Sequence, residues 1–320
     1  MAKKRILGCS FPVFIFIAIM LLALFVVSLV SGPMGKNLLG LPEWLIVSKP
    51  HPELPAEVVF HLFGLPITNS IIATWLTIIF LASFSFIITR KLTLIPGRKQ
   101  ALLEVIIESL LNFCQSVAGK KNGRRFFPVV ATIFLFVAFN AWLSLLPGYG
   151  SITAHTAESE VHFLRGANTD INTPLAVAAI SFIFIEFVGF STLGIRYGKK
   201  FINLDMVIQS VRLFFKGKIK AALSGFVLGV INAFIGLVEL LSELIRVVSL
   251  TIRLFGNMTA GEILLLVAIF LMPWLFALPF YALELLVGFV QALIFASLTL
   301  IFLTMAVSSH EEHGEEPAGH

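Results

Sequence analysis

Charge is what this chain has least of: 13% of its 320 residues are Asp, Glu, Lys or Arg, while 58% are hydrophobic. Soluble domains carry about 25% charged and roughly 45–50% apolar residues, so a conventional soluble core is excluded. Cysteine is nearly absent. Cys9 and Cys114 are separated by a hydrophobic span, which argues against a disulfide and against a metal site built on thiolates. Proline is missing from one long tract, Ala221 to Met272, so the commonest helix breaker is absent there. No nucleophile triad, metal cluster or phosphate loop is visible, and neither bond chemistry nor a cofactor is expected. The net charge of +5 does not point to nucleic acid. Its basic residues flank apolar blocks, which is how membrane proteins set their orientation.

What is present is a series of apolar blocks long enough to cross a bilayer, for which about 18 residues suffice. The first, Cys9 to Val30, follows Lys3, Lys4 and Arg5. It exceeds the 7–15 apolar residues of a signal peptide and reads as a retained helix in an additional segment, 1–32, with a cleaved signal as the competing reading. Residues 33–66 form an outer polar connection with Pro42, Pro50, Pro52 and Pro55. A span from Ile67 to Thr89 ends in Arg90-Lys91. Arg98 to Arg125 is amphipathic, with Leu103, Ile106, Ile107, Leu110 and Leu111 among Glu104, Glu108 and four trailing basic residues. That pattern predicts a helix lying in the interface. Spans follow at Phe127–Leu146 and Pro174–Ile195, with an outer loop carrying Glu158, Glu160, Arg165 and Asp170 between them. The core is expected over 67–310 and an acidic polar tail over 311–320. No internal repeat and no inverted-repeat signal of a secondary transporter appears.

The N-terminal tail, residues 90–125 and residues 196–220 together hold 18 of the 23 Lys and Arg. The positive-inside rule therefore places all three on the cytoplasmic side, or on the equivalent negative side in an organelle. The tract from Ala221 to Met272 would be roughly 75 Å long as one helix, against a hydrocarbon core of about 30 Å. A break at Gly256–Gly261 leaves a second piece too short to cross, so a steeply tilted or bent helix is expected. Pro273 and Pro279 mark a turn into a last helix that ends near Val307. The fold class is thus an all-α integral membrane protein of about six membrane helices. It includes a long, tilted C-terminal hairpin and one interfacial helix.

Seven charges interrupt the apolar blocks: Glu186, Glu239, Glu243, Arg246, Arg253, Glu262 and Glu284. Facing lipid, they would cost on the order of 20 kcal/mol together, so they must face protein, water or one another. Glu239, Glu243, Arg246, Leu250, Arg253 and Asn257 fall on one helical stripe. Glu243 and Arg246, three apart, can pair locally. Arg253 cannot, since Ser249, Leu250, Gly256 and Asn257 occupy its neighbouring positions. Its guanidinium stays charged and needs a partner from elsewhere. Glu284 and Gln291 share a face of the last helix. About the turn, Glu262 and Glu284 both fall toward the outer half and Glu239 toward the inner half, which is the arrangement of an ion path interrupted by a fixed cation. Glu186 has no role beyond packing.

The run Ser249-Leu-Thr-Ile-Arg253-Leu-Phe-Gly-Asn257-Met-Thr-Ala-Gly-Glu262 resembles the signature of the F-type ATP synthase subunit a family. Glu239 stands 14 residues before Arg253, Gln291-Ala-Leu-Ile-Phe is similar to a C-terminal run of the family, and Asp170-Ile-Asn172-Thr173 to an outer element. Asn140 to Pro147 is similar to a further family stretch. The resemblance covers about 65–310. It implies a non-catalytic proton-conducting stator subunit with two half-channels against the c-ring, beside a b-subunit stalk, in an energy-coupling membrane such as the bacterial inner membrane. It makes Arg253 the essential arginine facing the ring and places Asp170, Asn172, Glu262 and Glu284 on the outer path. Asn257 and Gln291 become polar neighbours of the arginine, and Glu239 marks the inner path. Many members carry histidine where Glu284 stands here. The competing reading is a stand-alone secondary transporter with Arg253 as an anion-substrate site.

Overall fold

The computed structural model describes residues 5–6, 9–33, 55–90, 93, 96–146, 148–155, 160–194, 197–198, 201, 210, 219–273 and 277–308. Pro42, Pro50, Pro52, Glu158, most of the basic segment 196–220 and the tail 311–320 lie outside them. Among the described residues there are six α-helices and three two-stranded antiparallel ribbons. The helices are α1 (Phe11–Ser31), α2 (Asn69–Thr89), α3 (Arg98–Ser144), α4 (Asn172–Leu193), α5 (Ile219–Leu271) and α6 (Ala277–Ser308). The ribbons pair β1 (Arg5–Ile6) with β2 (Cys9–Ser10), β3 (Val58–Leu62) with β4 (Leu65–Thr68), and β5 (Thr153–His155) with β6 (Glu160–His162). Five helices, α2 to α6, are long and apolar enough to cross a membrane. The uncharged 21-residue α1 adds a sixth apolar helix.

The 53 residues of α5 form one helix, about 80 Å along its axis, more than twice the hydrocarbon thickness. The glycines at 256 and 261 do not break it. The helix called for by the interfacial pattern is separated from the following span, but at a different residue from the one composition suggested. At Gly119 the backbone leaves helical geometry (φ 76, ψ 164), a region that glycine enters at little cost. A Cβ on Gly123 would fall 2.7 Å from the carbonyl oxygen of Cys114 and from Cα of Gln115. In a straight helix nine residues would separate those groups by about 13 Å, so α3 turns a tight corner there. The basic residues at 120–125 therefore open the second arm rather than close the first. The residues around the missing side chain of Gly123 decide this, and no hydrophobic periodicity reports it.

The chain divides into two compact units. The first comprises 1–74, 140–170 and 256–290, and its outer surface is stapled by side chains. The Glu57 carboxylate accepts from the Asn69 amide at 3.4 Å and from the His162 backbone N–H at 3.0 Å, and Ser70 Oγ donates to Asp170 at 2.7 Å. Ala73, Tyr149 and Ala167 pack beneath, with Leu143 and Leu164 against them. Burial pushes the Tyr149 hydroxyl up to about 12, so it remains neutral at physiological pH. Gly288 lies against Ala141, and the Trp142 indole donates to the Leu285 carbonyl at 3.2 Å.

The second unit comprises 75–139, 171–255 and 291–320. Phe126, Val130, Val137, Val188, Phe295, Leu300 and Leu303 are fully buried in it. α4 and α6 are joined by a buried hydroxyl pair, Ser181 to Thr299 at 2.8 Å. Such pairing is how polar side chains hold helices together where lipid offers no hydrophobic drive.

Candidate functional site

A cavity of about 160 Å³ opens in the first unit. Its walls come from the end of α3 (Asn140, Ala141, Ser144) and the turn after it (Leu145), the outer loop (Arg165, Gly166, Asn168, Thr169), α5 (Met258, Glu262, Leu265) and α6 (Tyr281, Glu284). Two of the sequence-predicted acids, Glu262 and Glu284, line this one space. They are set there differently. Glu262 is ion-paired: Arg165 approaches its Oε2 with Nη2 at 3.3 Å and Nε at 3.4 Å. Glu284 is 6% exposed and makes no hydrogen bond or ion pair among the described residues. Its carboxyl lies directly against Gly261, where any Cβ would overlap it. The Ala-Gly-Glu end of the signature run is thus a steric requirement, because the glycine leaves the space that the neighbouring carboxyl fills.

The cavity wall is polar in a second way. Asn140 and Asn168 are buried, and the Asn140 Nδ2 and both side-chain polar atoms of Asn168 have no protein partner among the described residues. Leaving a buried amide unpaired costs about 1–3 kcal/mol per group. A roomy site with convergent polar atoms is the kind that holds ordered water, which satisfies such groups.

The other predicted residues fall as follows. Asp170 is half-buried and accepts from Ser70, while its loop neighbours Asn168 and Thr169 reach the cavity. Asn172 is exposed at the start of α4. In the second unit Glu239 lines a smaller cavity of about 70 Å³ with Tyr197, Ser242, Glu243, Arg246 and Phe302. There Arg246 donates to Glu243 at 2.6 Å and stacks 3.6 Å above the Phe302 ring centroid. Tyr197 donates to Glu186 at 3.3 Å. Burial, followed by the charges of Glu186 and Glu243, raises its hydroxyl pKa, while Arg246 opposes the shift. Glu186, assigned only packing from sequence, thus has a phenol against it. Gln291 is 2% exposed and Asn257 is exposed.

Arg253 is exposed, and among the described residues it makes no hydrogen bond or ion pair. On the helical projection it lies about 80° from Glu243. Along that arc Glu243 and Leu250 are buried, Glu239 and Arg246 half-buried, and Asn257 and Arg253 exposed. The polar stripe read from the sequence therefore runs along the border between the packed and open faces of α5, with Arg253 on the open side. Ile245, Val248, Ile252 and Leu264, also exposed, make the rest of that face apolar.

A fixed cation displayed on an apolar face, in a chain whose acids line enclosed polar space, suits an ion-conducting subunit that meets another protein. The comparison with known proteins decides which one. The ATP synthase A chain family model matches residues 71–304. The chain belongs to the ATP synthase subunit a family. Among curated relatives, ATP synthase subunit a of Gloeobacter violaceus is 33% identical over 245 residues, covering 77% of this chain and 86% of the relative. That of Moorella thermoacetica is 28% identical over 256 residues, covering 80% and 98%. That of a Sulfurihydrogenibium species is 34% identical over 227 residues, covering 71% and 90%. Subunit a is a multi-pass membrane protein, the proton-conducting and non-catalytic stator component of Fo. The family model's match begins within α2, at residue 71.

Sequence reasoning did not single out Arg165, Asn168 or Tyr149 as site residues. Arg165 had a usable signal: it is a cation on the side that carries few of them, five residues before Asp170. Asn168 had none, since a polar residue in a polar loop is unremarked until its burial is known.

Proposed function

We propose that the open face of α5 is the stationary wall past which the c-ring turns, with Arg253 at its edge and a b-subunit stalk holding the assembly. The observation that carries this reading is the exposure of Arg253 without a partner among the described residues. A guanidinium in a hydrocarbon-depth helix is costly and cannot discharge, and the described residues supply no counter-charge for it. A carboxylate on each c subunit, arriving in turn, supplies it. In the low-dielectric interface the attraction is strong enough to hold the ionised form.

The cavity beneath the outer loop is the outer half-channel. Water held by Asn140 and Asn168 brings a proton to Glu262 and Glu284, and from there it passes to the c-ring carboxylate. After nearly a full rotation the proton leaves beside Glu239, on the inner path. Asp170 and Asn172 belong to the outer approach, and Asn257 and Gln291 are polar neighbours of the arginine. Arg253 prevents a proton from running directly between the two paths.

The test is to replace Arg253 by Lys and by Ala in the complete ATP synthase, reconstituted in vesicles. Both variants should assemble, judged by co-purification of the c-ring, and both should lose proton-driven ATP synthesis. The Ala form should leak protons passively. Lysine keeps the charge, but as a compact ammonium that deprotonates when desolvated. Normal synthesis by the Lys variant would remove Arg253 from the mechanism.

A further inference from the structure

Two carboxylates line the outer cavity, and a relay that used them interchangeably would not need to hold them differently. Yet Glu262 is gripped and Glu284 is not. The grip comes from Arg165, which lies in the outer loop between β6 and the turn at Ala167–Thr169. Its side chain is only 12% exposed. Nε and Nη2 both donate to the same Glu262 oxygen, and Nη1 donates to the Pro55 carbonyl at 3.1 Å. One guanidinium thereby ties three segments distant in sequence: the chain before β3, the outer loop and α5. Glu284 meets the same cavity with its carboxyl against Gly261 and without a charged partner among the described residues.

We infer that Arg165 is a positioning residue for proton conduction: it fixes the Glu262 carboxylate at the cavity wall and leaves Glu284 as the group free to take up and hand on the proton. This rests on the reading of the cavity as the outer half-channel. The physical reason is the planar guanidinium. The two N–H groups converge on Oε2 and fix where that oxygen sits, and the rigid planar fork sets the direction from which it is held, which a point charge does not. A carboxylate so oriented keeps a constant shape for the water that it contacts. The Pro55 carbonyl holds the other arm of the same guanidinium.

The experiment is a double-substitution cycle in the reconstituted ATP synthase, with proton-driven synthesis expressed per assembled complex. Arg165→Gln should lower the rate roughly tenfold, the scale for losing one charged hydrogen bond. Arg165→Lys should fall between the two, because charge survives and orientation does not. In a Glu262→Gln background, Arg165→Gln should cause no further loss. Equal losses in both backgrounds would overturn the inference, since Arg165 would then act independently of Glu262. A reduced yield of complex with an unchanged rate per complex would also overturn it, leaving Arg165 as an anchor for the loop. If Glu262→Gln by itself had no effect, the assignment of the cavity as the outer half-channel would fall, and the role of Arg165 with it. That outcome is distinct from the other two.

Discussion

Seven residues separate Arg246 from Arg253 on α5. Both are intramembrane arginines in the same apolar tract, and the sequence offers only Arg246 a local partner. The surroundings of Arg246 supply its own: Glu243 at 2.6 Å on one side and the Phe302 ring at 3.6 Å on the other. Among the described residues, the surroundings of Arg253 supply none. The contrast shows that the chemistry of a buried charge is decided by whether its neutralisation is internal. An arginine closed off by its own chain is a packing element, whereas one left open is an attachment point for something that comes and goes.

The comparison breaks most visibly through lysine. Arg253→Lys should lower ATP synthesis at least about a hundredfold, equivalent to roughly 2.7 kcal/mol in the barrier, while Arg246→Lys should stay within a few-fold of the parent rate. Equal losses would erase the distinction. A second measurement addresses stability. Arg246→Leu strands Glu243 in a buried site, a change that costs about 3–5 kcal/mol when one partner of a buried pair is removed. The double variant Glu243→Leu with Arg246→Leu should recover most of that loss, as read from thermal unfolding of the purified complex. Failure to recover would mean that the pair has a function beyond packing.

A related contrast exists among the acids, where Glu284 is the one without a charged partner among the described residues. Glu284→His should retain substantial proton transport, since a titratable group survives, and Glu284→Leu should impair it by roughly a hundredfold or more, the lower end of the range for a lost acid–base group. Equal transport by both would make the carboxylate structural. Gly261→Ala sharpens this further. The new methyl displaces the end of a flexible side chain and not backbone, so the complex should assemble normally and lose conduction in part. The smallest effect belongs to the Ser181–Thr299 pair. Ser181→Ala should cost about 0.6 kcal/mol, the average for hydrogen bonds between membrane helices, with conduction unchanged. Loss of conduction there would place the pair on the proton path.

Much of this was legible in the residues because a bilayer imposes strong rules. An apolar run of sufficient length must be helical, since backbone groups in lipid have no other partner. So the helices α2 to α6 fall where the hydrophobic blocks predict, within a few residues. The unbroken length of α5 followed from its lack of proline and from the arithmetic of the alternatives. The charges that had to be explained were equally plain, because each is expensive in an apolar block. The local Glu243–Arg246 pair could be read from a spacing of three. Helix geometry fixes that distance whatever the rest of the chain does.

The sequence by itself therefore determined that the protein lives in a membrane, how its helices are laid out, and which charged residues demand partners. It carries those facts locally, in runs and spacings that no later packing can undo. Only the tertiary structure decided which partners are supplied. Arg165 reaches Glu262 across 97 positions. The corner at Gly119 is set by the missing side chain of Gly123, and Asn168 becomes a cavity wall only because the outer loop folds over it. The side of a polar stripe that faces the open is likewise not written in its spacing. Arg253 and Glu243 share a stripe, and what packs against each of them settles which is sealed and which is exposed.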